Sequence, residues 1–215
     1  MSILGLCQFL WYLTDMTFVL ILEVIGTIAF AVSGALTGVR KKLDIFGVVM
    51  LGFTTALGGG IIRDVLLGVI PPMAFRNPFY ALLAAAVATL MFFPVVRKYT
   101  AKAEKYLFIM DTIGLAVFTV IGVRAGMASG SIFLAVFVGM LTGVGGGVLR
   151  DLFVNEKPYI FVKHFYACAS IVGALTTALC WQCGETIAMA LGAAVVFELR
   201  ILAARFHWSL PKIKA

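Results

Sequence analysis

Two short runs carry most of the chemistry this chain could do. Gly58-Gly59-Gly60-Ile61-Ile62-Arg63-Asp64 and Gly145-Gly146-Gly147-Val148-Leu149-Arg150-Asp151 share one pattern, three glycines and then an Arg-Asp pair, 87 positions apart. Both runs lie in apolar surroundings. Ionisable groups there are costly and either line a pathway or pair with one another. Three consecutive glycines in a helix cost ~1 kcal/mol each relative to Ala, and they free the backbone to bend or unwind. An unwound turn releases carbonyls and amides that lipid cannot satisfy, so it faces protein or a water-filled cavity. Adjacent Arg and Asp point about 100° apart around a helix, so each is expected to need a partner elsewhere, or water. Pairing across the copies, Arg63 with Asp151 and Arg150 with Asp64, is one arrangement. If the two helices run in opposite directions, each arginine lies roughly 6 Å beyond its own glycines on opposite sides. The expectation is then a pore or cavity with an Arg/Asp pair on each side. The competing reading makes the glycines a tight helix crossing and the pairs structural locks.

Other reactive residues give weaker signals. Glu23 and Asp111 are expected to open their helices and favour the N-terminal dipole. Arg200 is expected to snorkel to an interface, and Glu198 to sit at a subunit contact. His164 and His207 fall at or beyond span ends. Of Cys7, Cys168, Cys180 and Cys183, the last two form a C-x-x-C read as small apolar residues at a helix end. No metal-ligand cluster, nucleophile-base arrangement or phosphate loop is visible, so neither an enzyme nor a metal site is expected.

The elements that position these residues follow from composition. Of 215 residues, 62% are apolar and 13% charged, more apolar surface than a soluble fold of this size can hide. The net charge of +7 is spread in short basic clusters, which argues against nucleic-acid binding. Apolar spans fall at 18–39, 45–69, 78–97, 107–126, 130–153, 162–182 and 184–204, read as helices in a lipid bilayer. Gly34-x-x-x-Gly38, Gly122-x-x-x-Gly126 and Gly139-x-x-x-Gly143 suit close helix packing. Seven spans put Arg40, Lys41, Lys42, Arg97, Lys98, Lys102, Lys105, Lys157, Lys163, Arg205, Lys212 and Lys214 on one side, against Arg76 and Arg124 on the other. The N-terminus is therefore expected outside and the C-terminus in the cytoplasm. The motif Ile25-Gly26-x-x-x-Phe30-x-Val32-x-Gly34 returns as Ile113-Gly114-x-x-x-Phe118-x-Val120-x-Gly122, and Pro71 and Pro158 follow the two glycine motifs at equal distance. Spans 3 and 6 match only in length and hydropathy. The expected organisation is a lead-in at 1–17, a three-helix repeat at 18–97, an inverted repeat at 107–182, an unduplicated helix at 184–204 and a tail at 205–215.

The paired motifs, the G-x-x-x-F-x-V-x-G helices and the 3+3+1 layout resemble the prokaryotic members of the trimeric intracellular cation channel family, also described as a glycine-transporter-like domain. The resemblance implies an all-α membrane protein of seven helices in the inner membrane of a prokaryote, assembled as a homotrimer with one pore in each protomer. It implies that helices 2 and 5 kink at Gly58, Gly59, Gly60, Gly145, Gly146 and Gly147 and line that pore, with Arg63, Asp64, Arg150 and Asp151 as its charges. The implied activity is K⁺ and Na⁺ permeation, with a carrier for glycine or a similar amino acid as the alternative. No cofactor is implied beyond the permeant ion and a bound lipid.

Overall fold

The computed structural model describes residues 3–93, 103–162 and 165–208. Every regular element among them is helical. These are α1 (Ile3–Arg40), α2 (Ile45–Leu66), α3 (Met73–Arg76), α4 (Pro78–Phe92), α5 (Ala103–Met127), α6 (Ile132–Phe153), α7 (Tyr159–Val162), α8 (Tyr166–Leu179) and α9 (Glu185–Arg205), with a 3₁₀ turn at Trp181–Cys183. Arg97, Lys98, Lys102, Lys163, His164, Lys212, Lys214 and the side chain of Cys7 lie outside the described residues.

The helix starts follow from local chemistry. Asp44 accepts from the Gly47 amide at 2.7 Å and Ser131 from Leu134 at 3.2 Å, capping α2 and α6. Asn77 accepts from Phe79 at 3.0 Å with Pro78 in the first turn of α4. Among the described residues five helical segments are long and apolar enough to cross a membrane: Asp15–Arg40, Ile45–Leu66, Glu104–Met127, Ile132–Phe153 and Glu185–Arg205. The chain is an all-helical membrane protein. Pro78–Phe92 and Tyr166–Leu179 are shorter apolar helices of 15 and 14 residues. Each covers about 21–23 Å, less than the ~30 Å of hydrocarbon. The sixth apolar stretch, expected to run 162–182, is not one helix. Phe165 adopts a left-handed conformation before α8 begins, and Trp181–Cys183 is 3₁₀.

At the centre α1, α2, α5 and α6 pack together, with α4 against α1 and α2, and α8 against α5 and α6. Helix α9 lies on α5 and α8. Contacts recur between the halves. Gly34 of α1 abuts Thr55 and Gly52 of α2, while Gly122 of α5 abuts Thr142 and Gly139 of α6. Thr55 and Thr142 each return a hydroxyl to the carbonyl four residues back, at 2.6 and 2.7 Å. Gly26 sits under Phe118 and Gly114 under Phe30, and the two rings lie 5.3 Å apart.

Candidate functional site

Both glycine motifs stay α-helical through all three glycines. The expected unwinding, and the carbonyls it would free, are absent from these helices. The runs serve instead as a crossing. A Cβ on Gly59 would overlap the Thr142 carbonyl oxygen, and one on Gly146 the Thr55 carbonyl oxygen. Gly58 faces Leu149, and Gly145 faces Gly59 and Ile62. Residue 55 therefore lies opposite 146 and residue 59 opposite 142, an antiparallel register. The third glycine differs. Gly60 meets only the Arg63 guanidinium, at 3.8 Å from an added Cβ, whereas one on Gly147 would lie 2.8 Å from the Tyr166 hydroxyl.

The antiparallel register puts Arg63 and Arg150 on opposite sides of the crossing, as helix direction requires. No pairing across the copies occurs. Nor does each charge find its first partner elsewhere: Arg63 Nε donates to Asp64 Oδ1 at 2.8 Å, and Arg150 Nε to Asp151 Oδ1 at 2.9 Å. The long arginine side chain reaches around the helix to its neighbour, which the angular separation alone does not allow for. The second oxygen of each aspartate receives the first amide of the following short helix, Met73 at 2.8 Å and Tyr159 at 2.9 Å. The helix ends match as well. Val69 donates to the Asp64 carbonyl at 2.8 Å and Glu156 to that of Asp151 at 2.9 Å. The turns need a left-handed residue at Gly68 (φ 72°) and Asn155 (φ 54°).

Beyond this shared frame the two ends diverge. At the second motif Arg150 is 0% exposed and also donates to Asp111 at 2.6 Å and Ser33 at 2.5 Å. Arg200 lies 3.8 Å from the other Asp111 oxygen, its guanidinium over the Tyr166 ring at 4.7 Å. The expected roles of Asp111 and Arg200 are thus overturned. Asp111 lies two turns into α5, where two buried guanidinium groups hold it, and Arg200 is buried at 1% exposure and does not snorkel. Glu23 does not open a helix either, because α1 begins at Ile3; its carboxylate accepts from the Tyr80 hydroxyl. Glu198 is exposed in the single chain.

At the first motif there is space. A cavity of about 300 Å³ is bounded by Glu23, Thr27, Gly60, Arg63, Asp64, Asn77, Tyr80 and Arg124, with Leu57, Phe118 and Ile121 among its apolar walls. Arg124 pairs with Glu185 of α9. Sequence reasoning missed Tyr80 and Tyr166. They stand 86 positions apart, one in α4 and one in the first turn of α8. A shift of 86 residues, one or two short of the 87–88 that relates the other motifs, pairs the two tyrosines.

A family described as "Glycine transporter" matches residues 20–95 and 108–182. A UPF0126 membrane protein of Deinococcus radiodurans is 45% identical over 156 residues, 71% of this chain and 72% of that protein. The inner membrane protein YadS of Escherichia coli K12, also of UPF0126, is 37% identical over 195 residues, 88% and 93% of the two chains. Among solved structures, a prokaryotic TRIC channel in 0.5 M KCl superposes with a TM-score of 0.85 at 33% identity, covering 91% of this chain and 100% of that one. The TRIC trimeric intracellular cation channel orthologue from Rhodobacter sphaeroides gives 0.83 at 32% identity over 88% and 98%. A trimeric intracellular cation channel from C. elegans, 15% identical with a TM-score of 0.59 over 94% and 100%, shares the fold.

Proposed function

This chain belongs to the glycine-transporter family, whose structural relatives include the prokaryotic TRIC channels, and from that premise we propose that it is a monovalent cation channel conducting K⁺ and Na⁺. The observation that carries the proposal is the α2/α6 crossing, flanked by an Arg/Asp pair on each side, one beside a cavity and the other sealed. In this reading the pore runs within one protomer of a homotrimer, past the glycine motifs. α1, α2 and α4 form one repeat, α5, α6 and α8 the inverted second, and α9 stands alone. The N-terminus and the cavity face outside, and the C-terminus faces the cytoplasm. That orientation leaves Lys41 and Lys157 inside.

Both glycine runs keep their helical hydrogen bonds, so their carbonyls are engaged within α2 and α6. Side chains must guide the ion, with Asp64 and Glu23 drawing cations in and Arg63 and Arg150 screening the aspartates. The buried Arg150–Asp111 contact and the Phe30–Phe118 rings close the path beyond the cavity. Purified protein in planar bilayers is expected to give stepwise K⁺ currents. Arg63→Ala is expected to alter their amplitude, and Ser33→Ala, which removes one donor–acceptor tie on Arg150, to raise open probability. Silent bilayers would defeat the proposal.

One observation favours a second reading, a carrier for glycine. A cavity reachable from one side and sealed at the other is what an alternating-access protein shows in one of its states. Saturable glycine uptake into proteoliposomes, with no unitary current, would select it.

A further inference from the structure

The cavity at the first motif has an unusual charge balance. Three kinds of ionised side chain border it. Arg63 is neutralised by Asp64, its NH2 group 2.7 Å from the carboxylate. Arg124 is neutralised by Glu185. Among the described residues Glu23 meets only a phenol, the Tyr80 hydroxyl, at its Oε2. Among the described residues nothing donates to its Oε1. The cavity therefore holds one carboxylate whose charge no cation among the described residues balances.

The walls narrow the class of ligand. Val19, Leu57, Phe118 and Ile121 make much of the surface apolar. A bare or hydrated metal ion gains nothing from such walls, whereas an apolar group gains by leaving water. The rings of Tyr80 and Phe118 border the same space, and aromatic faces attract ammonium groups. A zwitterion would need a guanidinium with charge to spare, and both arginines are already paired. The volume of about 300 Å³ lies at the lower end of the ~300–1,000 Å³ usual for small-molecule sites.

We infer that this cavity binds an organic ammonium ion with a small apolar or aromatic body, its cationic head against Glu23 and its body against Leu57, Phe118 and Ile121. Occupancy would obstruct the entrance to the path. That consequence rests on the channel reading, while binding itself does not.

The test is calorimetric titration of the purified full-length protein with benzyltrimethylammonium, and with benzyl alcohol as the neutral control. Saturable binding is expected for the cation only. Glu23→Gln, which keeps an acceptor for Tyr80, is expected to weaken it at least roughly tenfold. Tyr80→Phe, which leaves the carboxylate without its phenol, is expected to keep or strengthen it. Ala74→Trp, placing an indole at the cavity wall, is expected to abolish it, and decides the matter if the Glu23 variant does not fold. Equal binding of benzyl alcohol, binding unchanged in both Glu23→Gln and Ala74→Trp, or displacement by excess glycine would each overturn the inference. In bilayers the cation is expected to block from one face only. Binding that depends on Glu23 in electrically silent protein would sink the channel reading and leave the site standing. K⁺ currents from protein that binds no benzyltrimethylammonium would do the reverse.

Discussion

The same seven-residue motif ends two helices of this protein with opposite results. At α2 and at α6 the aspartate caps the next short helix, the arginine folds onto that aspartate, and a left-handed residue closes the turn. The difference lies in what each arginine finds next. Arg150 meets Asp111 and Ser33 and is drawn fully into the protein. At the corresponding places near Arg63 stand Glu23, occupied by Tyr80, and Ile121, which cannot accept a hydrogen bond. Arg63 keeps 13% of its side chain exposed, beside the cavity. Repeated residues set the frame, and unrepeated neighbours decide whether that end is filled or hollow.

The largest test of this contrast removes the acids. Asp111→Ala leaves the buried Arg150 guanidinium short of a counter-charge and is expected to cost about 3–5 kcal/mol. Glu23→Ala, at a half-buried site with a neutral partner, is expected to cost about 1 kcal/mol. Denaturant unfolding in detergent measures both, and equal losses would break the comparison. A smaller effect separates the glycines. Gly146→Ala forces a methyl group onto the Thr55 carbonyl oxygen and is expected to cost about 1–3 kcal/mol. Gly60→Ala, facing the cavity, is expected to stay within about 0.5 kcal/mol. A melting temperature lowered as much by Gly60→Ala as by Gly146→Ala would show that both motifs act only as crossings. The smallest effect concerns the turns. Gly68→Ala is expected to lose about 1 kcal/mol to the left-handed backbone, and Gly68→Asn a few tenths, because Asn155 already holds that conformation in the other copy. Thermal shifts of the two variants sharpen the point, and identical shifts would deny it.

Much of this frame was legible in the sequence. The spacing of the glycines located the α2/α6 crossing, and the opposed helix directions placed Arg63 and Arg150 on its two sides. What the glycines do there was not legible. Three in a row signal a break as readily as a contact, and only the facing carbonyls of Thr55 and Thr142 decide for contact. Glu23 and Asp111 were misplaced because apolar spans do not mark where a helix starts; α1 and α5 begin well before either residue. Arg200 looked like a terminal cation because its partner, Asp111, lies 89 positions away in sequence. The self-pairing of each Arg-Asp dipeptide depends on side-chain reach, which a helical wheel omits. Tyr80 and Tyr166 escaped notice because a lone tyrosine in an apolar stretch is an ordinary residue until its neighbours are known.

Helix α9 carries neither of the duplicated motifs, and its Arg200 reaches Asp111 at the second-motif end. Asp111 and Asp151 there face Arg150 and Arg200, and the four charges cancel. At the first-motif end Glu23, Arg63 and Asp64 leave one negative charge over. The molecule thus has an electrical polarity that its duplicated motifs conceal, much as a diode and a resistor can share one casing. Helix α9 adds a cation, Arg200, at one end of the crossing and an anion, Glu185, at the other, so the two ends have different electrostatic surroundings.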